Sequence, residues 1–311
     1  VSWDAELAFD NPRALARALT VIETGGEEAE ALLRRLRPRA GRAHSVGLTG
    51  GAGVGKSTLV QAMGVRLLER GERVAALAVD PSSPFSGGAL LGDRIRMGRF
   101  IAMGGFVRSM ATRGAVGGLA AATTDAMDVL DAAGFSWLLL ETVGVGQDEI
   151  DVAGVVDTVV VVGVPGTGDD VQTAKAGLLE VADILVVNKS DLPGAAQYAS
   201  ALAEMLELRP ASGWQPPLVM TQAIAGEGVG ELVAAVEAHR AFLERDGRRE
   251  EVRRQRAARR VAQLLGGLVQ QRLCRADDPR YCETIEAVAS GALDPYTAAR
   301  RLLGGLANGG W

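Results

Sequence analysis

A glycine-rich octet set between a strand-like run and a helix-like run restricts this chain more than any other feature. Gly50-Gly51-Ala52-Gly53-Val54-Gly55-Lys56-Ser57 reads as glycine, four residues, then Gly-Lys-Ser; it follows the apolar run Ser45 to Thr49 and opens the helical spacing of Ser57 to Arg70. Glycines let the backbone turn inward so that successive N–H groups converge on an anion, and the helix N-terminus adds its positive end. Gly51 to Gly55, with Lys56, Ser57 and Thr58, is therefore the expected cradle of a nucleoside polyphosphate. Lys56 is expected at the β and γ phosphates, and the Ser57 hydroxyl is expected to ligate Mg²⁺.

The runs around this loop fit one fold class. Val74 to Val79, Trp137 to Leu140, Thr158 to Val162, Ile184 to Val187 and Leu218 to Met220 are short and apolar on both faces, as buried parallel strands require. Leu119 to Ala133, Val171 to Val181 and Val229 to Arg245 carry helical spacing between them, which predicts an α/β P-loop fold with a doubly wound, mostly parallel sheet. Residues 42–245 form the expected nucleotide domain. Residues 1–41 read as a helical extension, with Asn11-Pro12 opening its first helix and Gly25-Gly26 separating it from a second. Residues 246–311 read as a helical arm, because Asp246-Gly247 breaks the pattern and Arg248 to Arg275 follows with nine arginines against two glutamates. Val252, Val261, Leu264, Leu265 and Leu268 along that helix favour a packed or dimer-forming face over a solvated one.

The base is chosen further on. Asn188-Lys189-Ser190-Asp191 ends a predicted strand. The Asp191 carboxylate can accept from both N1–H and the 2-amino group of guanine, which adenine cannot offer, while the Lys189 stem covers the base. Where guanine sites place a backbone N–H against O6, this chain has Thr221-Gln222-Ala223, so Gln222 and Ala223 are the candidates. Only three of the 33 basic residues are lysines, Lys56, Lys175 and Lys189, and two of them fall in these motifs.

Three further stretches follow predicted strands: Val79-Asp80-Pro81-Ser82-Ser83-Pro84-Phe85-Ser86-Gly87-Gly88 with Gly92-Asp93-Arg94, then Glu141-Thr142-Val143-Gly144-Val145-Gly146-Gln147, then Pro165-Gly166-Thr167-Gly168-Asp169-Asp170. With the phosphate and guanine motifs, they closely resemble the MeaB/ArgK/MMAA family of GTPases, chaperones of adenosylcobalamin-dependent acyl-CoA mutases such as methylmalonyl-CoA mutase. The resemblance covers about Arg39 to Leu243 with high specificity and the helical ends more weakly.

That resemblance implies hydrolysis of GTP to GDP and phosphate by in-line attack of water, with Asp80, Asp93 and Glu141 serving Mg²⁺ binding and hydrolysis. A carboxylate at Glu141, where most GTPases carry Asp-x-x-Gly, suits a hard divalent cation. Val145 stands where Ras-like enzymes place the water-orienting glutamine, which predicts slow intrinsic turnover, with Gln147 as the candidate replacement. Arg94, Arg96, Arg108 and Arg113 all lie in plausible loops, and no arginine finger is assigned. The resemblance further implies that Asp169 and Lys175 form a switch pair that rearranges with nucleotide. It also implies that the arm mediates a homodimer, and that the partner is an adenosylcobalamin-dependent acyl-CoA mutase, whose cofactor delivery or repair the GTPase governs.

A nickel-delivery metallochaperone shares this scaffold, but it needs clustered imidazole or thiolate ligands; here His44 and His239 are far apart in sequence and Cys274 and Cys282 make no paired motif. A transport-linked kinase, an older assignment for this family, would require a phosphoacceptor site and a base, and no such signature is present. The net charge of −5 and pI near 5.3 argue against a general nucleic-acid binder. No apolar run approaches the ~18 residues of a membrane span. The acidic start, Val1-Ser2-Trp3-Asp4, lacks the basic and apolar pattern of a secretory signal, so the expected location is the cytoplasm.

Overall fold

The apolar runs pair side by side into one sheet. The computed structural model describes residues 11–81, 97–112, 118–142, 152–166, 176–207, 209, 213–274 and 277–307. Within these, β1 (His44–Thr49), β2 (Val74–Pro81), β3 (Phe106–Thr112), β4 (Trp137–Glu141), β5 (Thr158–Gly163), β6 (Ile184–Asn188) and β7 (Leu218–Thr221) form a parallel sheet of order β3-β2-β4-β1-β5-β6-β7. β1 lies in the middle, every residue of it buried, and the strand order reverses beside it. In such sheets ligands bind at the carboxyl ends of the strands at the reversal, which is where the glycine-rich loop leaves β1.

Alternate residues of the strands feed two separate cores. Ala75, Leu77 and Val79 of β2 face one layer and Val74 and Ala76 the other. The first layer holds α1 (Pro12–Thr24), α2 (Glu27–Leu36), α5 (Gly118–Ala132), α6 (Ala176–Val181) and α7 (Ala195–Glu207); the second holds α3 (Lys56–Glu69), α4 (Gly98–Ala102) and α8 (Val229–Leu243). The N-terminal hairpin is thus bound into the sheet's own core: Leu15, Leu19, Leu32 and Leu36 are essentially inaccessible. Asn11 caps α1 by accepting from the Arg13 N–H at 2.9 Å, with Pro12 at the first helical position.

Strand β3 has no counterpart in the sequence reading. Its Arg108, Ser109 and Thr112 interrupt the apolar run, and it sits at the sheet edge, where polar side chains are tolerated. Arg108 reaches α1, pairing with Glu23 at 2.6 Å and donating to the Thr20 hydroxyl at 3.1 Å. That engagement removes Arg108 from the arginine-finger candidates; Arg94, Arg96 and Arg113 lie outside the described residues.

Two compact units divide the chain, residues 1–256 and residues 257–311. The long helix α9 (Arg248–Leu273) belongs to the first unit as far as Arg256. Over that stretch three of its arginines, four and three residues apart, share one helix face. Arg249 donates to the Ala43 carbonyl at 2.8 Å, Arg253 to the Gly41 carbonyl at 2.5 Å, and Arg256 to Asp157 at 2.8 Å and to the Val156 carbonyl. The segment they grip is also held by its N–H groups: buried Asp131 of α5 accepts from Gly41 at 2.5 Å, Arg42 at 3.1 Å and Ala43 at 3.0 Å. Asp131→Ala leaves three N–H groups without their acceptor, and a loss of roughly 3 kcal/mol is expected in urea unfolding. A loss under about 1 kcal/mol would show that water replaces the carboxylate there.

The second unit contains the remainder of α9, α10 (Pro279–Ala289) and α11 (Pro295–Ala307). Asp278 caps α10 through the Arg280 N–H at 2.9 Å. Val261, Leu264, Leu265 and Leu268 recur at helical spacing along α9, each about half exposed. Among the described residues no helix is long and apolar enough to cross a membrane.

Candidate nucleotide site

The phosphate loop is built from contacts that only glycine permits. Gly50 has φ 136°, and a Cβ there would overlap the Val162 carbonyl of β5. Gly55, the N-cap of α3, has φ 97°, and a Cβ there would overlap the Asn188 side-chain amide. Both lie in the left-handed region that L side chains rarely enter. The loop is thereby wedged between β5 on one side and the Asn-Lys-Ser-Asp segment on the other.

Lys56 is buried, and its Nζ donates to the carbonyls of Gly50 at 2.8 Å and Gly51 at 2.9 Å. A buried ammonium needs such acceptors, and the loop winds around it. Ala52 and Gly53 are exposed at the tip, Gly51 is half-buried, and Val54 tucks into the core. Ser57 and Thr58 fall in the first turn of α3, both half-buried. The Ser57 hydroxyl donates to Glu141 Oε1 at 2.5 Å, which joins the helix start to the end of β4.

Glu141 is fixed in turn by the residue after it. The Thr142 N–H donates to the Leu48 carbonyl at 3.2 Å, extending the β1–β4 ladder past the strand end. Its buried hydroxyl lies 3.3 Å from the hydroxyl of buried Thr49. No sequence signal singled out Thr49 or Thr142, because each reads as an ordinary strand-end residue.

The base motif is interlocked with the phosphate loop. Asn188, 2% exposed, donates from Nδ2 to the Val54 carbonyl at 2.8 Å. Its Oδ1 accepts from the Thr221 hydroxyl at 3.1 Å and the Ala223 N–H at 3.2 Å. One amide therefore ties together the phosphate loop, the end of β6 and the loop after β7. Lys189 takes φ 56°, and its Nζ donates to the Gly53 carbonyl at 3.0 Å, laying its stem beside the loop. Ser190 N–H donates to the Thr221 carbonyl at 3.0 Å, and Asp191 is exposed at the turn. Gln222 starts the next turn, its N–H donating to the Glu227 carbonyl at 3.0 Å.

The candidates in the three intermediate stretches are placed only in part. Asp80 lies on β2 opposite Ala111 of β3, its side chain outside the described residues. Asp93, Gln147, Asp169 and Lys175 also lie outside the described residues. Of the proposed metal ligands, Ser57 and Glu141 are brought together, and their donors are hard oxygens of the kind Mg²⁺ prefers.

Known proteins resemble this chain along most of its length. The family profile described as methylmalonyl Co-A mutase-associated GTPase MeaB matches residues 15–278. A Pyrococcus abyssi protein, whose name assigns it provisionally to the GTPases, is 45% identical over 304 residues, covering 96% of this chain and 94% of its own. The Escherichia coli GTPase ArgK is 35% identical over 300 residues, covering 93% of this chain and 91% of its own. The mouse methylmalonic aciduria type A homolog, a mitochondrial protein, is 38% identical over 243 residues, covering 70% of this chain and 57% of its own. Among solved structures, one titled as an LAO/AO transport system kinase superposes with a TM-score of 0.72 at 28% identity, covering 96% of this chain and 94% of that one.

Proposed function

The chain belongs to the MeaB family of methylmalonyl-CoA mutase-associated GTPases, and from that premise we propose that its GTP turnover gates an adenosylcobalamin-dependent acyl-CoA mutase. The chain is a GTPase that binds GTP and GDP. The finer reading is that nucleotide state governs delivery of the mutase's cofactor or removal of its damaged form. The observation that carries this reading is the match of residues 15–278 to the profile described as methylmalonyl Co-A mutase-associated GTPase MeaB.

In this reading Lys56 neutralises charge on the β and γ phosphates, and the N–H groups of residues 51–58 surround the phosphate oxygens. Lys189, Asp191 and Ala223 select guanine. Ser57 and Glu141, with Asp80 and Asp93, would hold Mg²⁺, which when bound offsets the charge on the phosphates. Gln147 is the proposed water-orienting group, and Asp169 with Lys175 the proposed switch pair that reports to the mutase. The exposed apolar row Val261, Leu264, Leu265 and Leu268 is the proposed contact with a second copy of the chain.

Association with a methylmalonyl-CoA mutase tests the partner assignment directly. Sedimentation of the two proteins with a non-hydrolysable GTP analogue and with GDP should give affinities at least about tenfold apart, the scale of a modest coupling free energy. Equal affinities in both states, or no complex in either, would contradict the gating role.

A further inference from the structure

The chain contains two histidines, and the fold brings them to the two sides of one hydroxyl at the amino end of the sheet, remote from the phosphate loop along β1. His44 opens β1, Thr158 opens β5, and His239 lies on α8. His44 Nε2 is 2.9 Å from Thr158 Oγ1, and the same oxygen is 2.9 Å from His239 Nδ1. His239 Nε2 is 3.4 Å from Asp183 Oδ1, just ahead of β6. At the other end His44 Nδ1 has no hydrogen-bond partner although the ring is buried, and it points at Asp157 Oδ2 across 3.9 Å. Asp157 is the carboxylate that Arg256 of α9 holds at 2.8 Å.

Thr158 has one hydroxyl proton, so the row is polarised in one direction or the other. With Asp183 ionised, His239 carries its proton on Nε2, 3.4 Å from the carboxylate, and accepts at Nδ1 from Thr158. His44 then donates from Nε2 to Thr158, and the bare Nδ1 of His44 faces the Asp157 carboxylate. One added proton on Asp183 reverses every member. Asp183 holds its proton on the side of His239 Nε2, His239 Nδ1 donates to Thr158, Thr158 to His44 Nε2, and His44 Nδ1 now carries a proton 3.9 Å from Asp157.

We infer that Asp183, His239, Thr158 and His44 form a proton-binding relay, in which a proton taken up at Asp183 appears on His44 Nδ1, beside Asp157, the anchor of helix α9. The entry point is accessible: the Asp183 side chain is 28% exposed, whereas that of His44 is 1% exposed. At the other end Asp157 Oδ2 accepts from the Ser45 N–H and hydroxyl at 2.9 and 2.8 Å, which fixes the carboxylate that a proton on His44 Nδ1 would face. The ionisation tendencies agree with movement of tautomers between neutral rings. Burial lowers His44 to about 3 and His239 to about 4, while burial raises Asp183 to about 6.

The charges facing the relay come from several elements. Arg240, Arg249 and His239 disfavour a charged His44, and Asp157 favours one. Arg256 disfavours and Asp157 favours a charged His239. Arg209, Arg256 and the Val159 N–H support the Asp183 carboxylate against burial, and the Asp157 charge opposes it. Because the folded Asp183 is raised, its proton is present below about pH 6 and lost as pH rises through that value. The proton on His44 Nδ1 follows the same window.

Two histidines make the test direct. Imidazole ¹⁵N spectra of the full, untagged chain should show both rings as Nε2–H tautomers at pH 8, and both should convert together to Nδ1–H with one midpoint near 6. Thr158→Val should split the shared midpoint and Thr158→Ser restore it, while Asp183→Asn should leave both rings in one tautomer throughout. An unchanged tautomer between pH 8 and 5, separate midpoints in the wild type, or a doubly protonated ring near pH 6 would overturn the relay. The wild-type spectra decide the matter even where a variant fails to fold.

Discussion

Lys56→Ala is expected to lower GTP affinity at least about 100-fold while leaving the far-ultraviolet circular dichroism spectrum near that of the wild type. The ammonium is buried at the first position of α3 and already wrapped by the carbonyls of Gly50 and Gly51, so the loop is organised around a positive charge. Alanine keeps the helix, being its best former, and removes the cation from a site designed for a polyanion. Charge-assisted hydrogen bonds are worth about 1.5–3 kcal/mol each. Loss of two is therefore a change of roughly 3–6 kcal/mol, with about 1.4 kcal/mol per tenfold. Isothermal titration with GTP and GDP checks it, and affinity retained within about tenfold would remove the phosphate-loop assignment.

Asp191→Asn is expected to abolish the preference for guanine and create one for xanthine. The carboxylate can accept from both N1–H and the 2-amino group; an amide presents a donor there, which suits the 2-oxo group of xanthine. A site built on such bonds discriminates by roughly 10⁴-fold against an analogue that leaves them unpaired, so GTP affinity should fall by about 10³-fold or more while XTP affinity rises. Asp191 is exposed at the turn after Lys189, so the exchange leaves the core untouched and unfolding is expected to be unchanged. Competition of GTP, XTP and ATP against a fluorescent nucleotide reads all three at once. Continued selection of GTP by the variant would mean that the base is read elsewhere.

Both predictions rest on motifs whose residues are close in sequence, and that is why they were legible there. The spacing from Gly50 to Ser57 dictates a turn that few conformations satisfy, and the structure shows which neighbours impose it: the Val162 carbonyl at Gly50 and the Asn188 amide at Gly55. Those neighbours are over a hundred residues away, and nothing local announces them. Asn188 was legible as part of a guanine motif but not as the tie between Val54 and Ala223.

The parallel sheet was legible wherever a strand is buried on both faces, as in β1, β5 and β6. It was not legible at β3, where Arg108 breaks the apolar run and finds Glu23 on α1, a helix read as an extension from the sequence. The arginines of α9 read as a charged or packed helix. Their matching to the carbonyls of Gly41 and Ala43 depends on the fold placing that segment beside the helix face. The histidine row was the least accessible to sequence reasoning, since it draws on residues 44, 158, 183 and 239 from four elements that only the sheet brings together.

GTP turnover by the purified chain with Mg²⁺, measured alone and with a methylmalonyl-CoA mutase, tests the central claim most directly when ATP is run beside it. Slow hydrolysis of GTP that the mutase accelerates, with ATP left untouched, is the predicted result. Turnover indifferent to the mutase, or hydrolysis of ATP in preference to GTP, would contradict it.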